Sequence, residues 1–237
     1  MAVFGAVLRW TQGQIALNRE AGAAAVGAPI PWAMAGISLL FLAGLVVIVL
    51  RFRSRCAVEK PTQKRGSSVM WLAAACLAAL LTAISAVIMF VSASDSRYCV
   101  LIRILSALEL LAGISMPFVI LGCGTKKAGT LSCVCAVAMI VFYAYWLIVC
   151  YKVNSTQPEI WIYAMEILAS SMSMLAVYYL SGAFFARPMP FRAMFFCDTA
   201  AFFCITALPG GNTAQKLLLI ATAAVLLMSS FLQTERT

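Results

Sequence analysis

Seven long apolar stretches, separated by short polar segments, set the pattern of this chain. They run approximately over 32–50, 70–93, 98–121, 129–151, 160–185, 191–208 and 214–232. Each is close to the roughly 20 residues a helix needs to cross the hydrocarbon core. Backbone polar groups in lipid must be satisfied within the segment, so the stretches are predicted to be transmembrane α-helices. The expected fold is an all-α bundle of about seven spans, organised as an outer segment 1–31, one helical membrane domain 32–233 and a short tail 234–237. The sixth stretch is the weakest: Asp198 interrupts it, Pro188 and Pro190 precede it, and Pro209-Gly210-Gly211 ends it. It reads as a full span, a broken helix or a re-entrant segment.

Composition strengthens the reading. Hydrophobic residues make up 64% of the 237 positions and charged ones only 11%, with a mean hydropathy of +0.99. A soluble surface needs roughly a quarter of its residues charged. The net charge of +9 does not point to nucleic acid, because the basic residues sit between apolar runs, where they act as topology signals and lipid-headgroup contacts. The first polar loop holds Arg51, Arg53, Arg55, Lys60, Lys64 and Arg65; Lys126, Lys127, Arg187, Arg192 and Arg236 fall on the same side. Arg9, Arg19, Arg97, Lys152 and Lys216 fall on the other. Eleven against five predicts the first loop and the C-terminus inside, and the N-terminus outside. The compact loops fit a bacterial cytoplasmic membrane.

Before the first span, Phe4, Val7, Leu8 and Ile15 recur at helical spacing, which reads as an interfacial helix on the outer surface or as a disordered tail. Asn154-Ser155-Thr156 matches a glycosylation sequon in an outer loop too short to make it persuasive. Nine cysteines, an odd number mostly within apolar runs, read as small packing side chains rather than a disulfide framework. Histidine is absent, which removes His-ligated haem, most zinc sites and Ser-His or Cys-His hydrolases. No catalytic constellation, metal set or cofactor motif is present.

Small residues mark expected packing faces: Gly36, Ala43 and Gly44 in the first span, and Ala75, Ala79, Ala83 and Ala86 in the second. Four ionisable residues lie inside the predicted spans: Arg103, Glu109, Glu166 and Asp198. A charge at the bilayer centre costs at least about 2.5 kcal/mol, so each must face protein, water or a partner. In the third span Arg103, Ser106, Glu109, Gly113 and Pro117 share a sector of roughly 120°, expected to face the bundle interior. In the fifth, Tyr163, Glu166, Ser170, Ser173 and Ser181 line one stripe. At 1.5 Å per residue Arg103 and Glu166 match in depth, about 8 and 9 Å below their helix starts, which predicts an ion pair between them. For Asp198 two readings stand: a charge met by Arg187 or Arg192, or the cap of a helix restarted at Thr199.

Arg103, Ser106, Glu109, Glu166, Ser170, Ser173 and Asp198 are therefore the candidates for binding a solute or ion. The function they suggest is small-solute transport, or a solute-binding membrane subunit. The competing reading is a non-catalytic sensor, assembly factor or subunit whose partners are the bilayer and another membrane protein. In that case the buried charges only hold helices in register.

Overall fold

The computed structural model describes residues 5–7, 9–10, 29–56, 68–95, 97–124, 130–154, 163–182, 184–185 and 189–234. The sequon's Ser155 and Thr156, the basic positions 57–67, Lys126, Lys127, Arg187 and most of the segment before the first span lie outside them. Among the described residues all regular structure is helical. Seven helices are long and apolar enough to cross a membrane: α1 (Pro29–Cys56), α2 (Ser68–Ser92), α3 (Cys99–Gly124), α4 (Thr130–Asn154), α5 (Ala164–Ser181), α6 (Pro190–Ala207) and α7 (Thr213–Thr234). The protein is a polytopic α-helical membrane protein.

Six of the seven form a closed ring. Helices α2 to α7 each pack on the next, and α7 returns to α2, so consecutive helices run antiparallel around a packed interior. The seams are close. A Cβ on Gly113 of α3 would collide with the Thr82 hydroxyl of α2. One on Gly122 would meet Ser132 Oγ of α4 at 2.7 Å. Small residues let backbones approach where lipid supplies no hydrophobic drive for association. Hydroxyls then tie helices together across the seams: Ser132 donates to Phe118 O at 3.1 Å, and Ser85 of α2 donates to Ala214 O of α7 at 2.7 Å. Ring stacking adds to this between Tyr179 of α5 and Phe196 of α6, with centroids 4.8 Å apart.

Helix α1 stands outside the ring. It rests on α6, where Phe41 stacks on Phe202 with centroids 4.0 Å apart. Nothing lies within 4 Å of a Cβ built on Gly36 or Gly44. Here the expected packing face is corrected: Gly36 and Gly44 meet no helix among the described residues, and Ala43 is exposed. The alanines of α2 fare better, with Ala75 and Ala86 fully buried and the Ala79 carbonyl facing Gly113.

The sixth span is also resolved by the structure. Helix α6 runs unbroken from Pro190 through Asp198 to Ala207, and Leu208–Gly210 continues it as a 3₁₀ turn. Thr199 bonds back to Phe195 O at 2.7 Å, as a residue in mid-helix does. Asp198 therefore caps no restarted helix. Pro190 sits at the start of α6, where a missing N–H costs nothing, so it begins the helix rather than breaks it, and Pro188 lies outside the described residues.

Candidate functional site

The 3₁₀ turns Ala93–Asp95 and Leu208–Gly210 mark one end of the bundle, called here the Gly210 end. Glu166 lies there, in the first turn of α5, where the exposed N–H groups of a helix start favour a carboxylate. It is buried, and the Cys150 thiol of α4 donates to its Oε2 at 3.3 Å. The cation whose charge acts on it is Arg9. Residues 5–7 and 9–10 are helical and dock on this end. A Cβ on Gly5 would meet Thr206 Cγ2 at 2.6 Å, and one on Gly210 would meet Arg9 Nη2 at 2.6 Å. Arg9 is only 6% exposed. Burial pushes its guanidinium below the ordinary value, and the Glu166 carboxylate opposes that shift.

The expected Arg103–Glu166 pair is thus not formed. Arg103 is exposed on the outer side of α3, with its guanidinium over the Phe90 ring of α2 at 5.6 Å from the centroid. Helix α5 starts at Ala164, so Glu166 lies about 3 Å below its helix start rather than about 9 Å, and Arg103 is only about one turn from the start of its own helix. A long side chain so placed satisfies its charge by snorkelling and by ring contact, without a buried partner.

Deeper in the ring the chemistry changes. Glu109 is fully buried, and among the described residues neither of its carboxyl oxygens has a hydrogen-bond partner. Ser85 of α2 is the hydroxyl beside it, but that O–H is already given to Ala214 O. Tyr143 of α4 reaches across the interior, its hydroxyl beside Thr222 of α7 and near Cys197 and Cys204 of α6. Neither the Tyr143 nor the Thr222 hydroxyl makes a hydrogen bond among the described residues. Ser173 of α5 faces Cys204 at 3.8 Å. At 1.5 Å per residue, Glu109, Tyr143, Thr222 and Ser173 all lie roughly 14 to 17 Å in from the Gly210 end of their helices. That is close to the middle of a core roughly 30 Å thick. Four helices therefore bring polar groups to one level.

Of the remaining candidates, Ser106 and Ser170 are buried but bond to carbonyls of their own helices, Arg103 O at 2.8 Å and Ile167 O at 3.0 Å. Asp198 is half-buried at a similar depth but on the side of α6 that faces α1, with the Ser230 hydroxyl of α7 beside it. Arg192 does not meet it; its guanidinium points to the Met189 sulfur at 3.7 Å.

Sequence reasoning missed Tyr143, Thr222 and Ser85, which are neutral and sit within otherwise apolar runs. It also counted Arg9 only as a surface charge. A tyrosine and a threonine near the centres of α4 and α7 were the available signal. No family model, no curated protein and no solved structure matches the chain.

Proposed function

We propose that this membrane protein moves a proton or small monovalent cation, alone or coupled to a solute, through the interior of its six-helix ring. Glu109 is the carboxyl that takes up and releases the ion. The single observation that carries this reading is a fully buried mid-membrane carboxyl with no hydrogen-bond partner among the described residues. Leaving such a group unsatisfied costs about 1–3 kcal/mol, and an apolar residue of similar shape removes the cost. Ionisable residues that persist inside membranes at that cost mark ion pathways and proton relays. Tyr143, Thr222 and Ser173 supply neutral oxygens at the same level, suited to a desolvated cation or a chain of water. With Arg103 outside the ring, the interior has no cation facing Glu109 among the described residues, which favours positive over negative cargo. The basic-residue count supports an orientation with the Gly210 end outside.

The test is flux in proteoliposomes loaded with a pH-sensitive dye, under an imposed potential and with Na⁺ or K⁺ gradients. Proton or cation entry that falls to the level of empty vesicles in Glu109→Gln is the expected result. Entry equal in both proteins, or none in either, overturns the reading.

A second reading, a subunit of a larger membrane complex, draws on α1. Only 11% of its span is buried, and a Cβ on Gly36 or Gly44 would meet nothing within 4 Å among the described residues. Native mass spectrometry from the source membrane in nanodiscs would detect a stoichiometric partner released by Gly44→Leu.

A further inference from the structure

Helices α1 and α7 both pack on α6 and leave between them a groove of about 310 Å³. Its walls are Phe41 and Leu45 of α1, Phe202 and Ile205 of α6 and Leu227 of α7, and its polar spot is Asp198. Among the described residues that line it, Asp198 is the only one with an ionisable side chain. At 1.5 Å per residue it lies about 12 Å in from the Pro190 end of its helix, within the hydrocarbon region. The groove is separate from the interior layer that holds Glu109.

We propose that this groove binds a lipophilic cation, an apolar body carrying one ammonium or phosphonium charge, which reaches it from within the bilayer. The chemistry selects that class. A carboxylate facing acyl chains must be neutralised, and Arg192, the basic residue nearest in the helix, is turned to Met189. An acyl chain would fill the walls but leave the charge with only the Ser230 hydroxyl, and an anionic headgroup would be repelled. A metal ion would find one carboxylate and the Ser230 hydroxyl, short of the roughly 6–8 oxygens a hard cation takes. A membrane-soluble cation satisfies walls and charge together. The groove is of the size of the smallest ligand sites, roughly 300 Å³. The stacked Phe41–Phe202 pair adds ring surface that a cation prefers.

The experiment is equilibrium binding of radiolabelled tetraphenylphosphonium to the full chain in zwitterionic nanodiscs, with empty discs subtracted for partitioning. Saturable binding at one site per chain is expected, weakened roughly tenfold or more in Asp198→Asn through loss of the charge. Leu227→Trp, which fills the groove and leaves the carboxylate in place, is expected to weaken it comparably and serves if Asp198→Asn does not fold. Glu109→Gln is expected to bind as the parent does. Uptake no greater than in empty discs, binding indifferent to both groove variants, or binding lost in Glu109→Gln alone would each overturn the proposal.

Discussion

Helix α1 and helix α6 invert the usual relation between hydrophobicity and burial. The span in α1 has a mean hydropathy of 2.7 and is 11% buried; that in α6 has 1.5 and is 61% buried. In water the most apolar segment would form the core. In lipid the acyl chains are as apolar as leucine, so hydrophobicity records what faces the bilayer, and the interior is left to small and polar groups. Leu39, Leu40, Val47 and Ile48 of α1 are exposed, whereas α6 buries Ala200, Ala201, Cys197, Cys204 and Thr199. The least hydrophobic spans are the ones that hold the molecule together.

Substitutions at four places press on this contrast. The largest effect belongs to the interior: Glu109→Gln is expected to abolish flux. Glu109→Met, with the same loss, is expected to raise stability by about 1–3 kcal/mol in thermal denaturation, since it replaces an unsatisfied carboxyl. A drop in stability would mean that Glu109 has a structural partner. Next comes the Gly210 end, where Arg9→Ala and Glu166→Gln are each expected to destabilise by about 1–3 kcal/mol. The double variant should be non-additive by about 0.5 kcal/mol or more, and strict additivity would separate the two residues. At the α2–α3 seam, Gly113→Val is expected to cost about 1–3 kcal/mol, because its side chain must displace Thr82. Smallest is the periphery: Gly36→Ala and Gly44→Ala should stay within about 0.5 kcal/mol of the parent in detergent, there being nothing nearby to strike. A large cost there would erase the distinction between ring and periphery.

The same contrast explains what the sequence disclosed. Hydropathy finds lipid-facing helices, so all seven spans were legible. The sixth read as interrupted because it is short and holds Asp198 between flanking prolines, yet its helix is continuous. The stripe of Glu166, Ser170 and Ser173 was correctly read as inward, and so was Glu109, because helical spacing fixes which residues share a face. Partners were not legible. Which helix lies opposite Glu166 depends on how the ring closes, and its cation comes from before the first span, a region read as lying on the surface. Arg103 misled because its sign suited Glu166 and helical spacing put it in the inward sector, whereas α5 starts later than the hydropathy suggests and Arg103 is exposed over Phe90.

The bond from Ser85 to the Ala214 carbonyl has a consequence for biogenesis. It joins the second span to the seventh, the last of them to be synthesised, so the ring stays an open wedge until that final helix enters the membrane. Until then the flank of α2 beside Glu109 has no cover from α7. An insertion intermediate with six spans therefore leaves the Ser85 hydroxyl beside Glu109 uncovered, and is the species that membrane chaperones and quality-control proteases would meet.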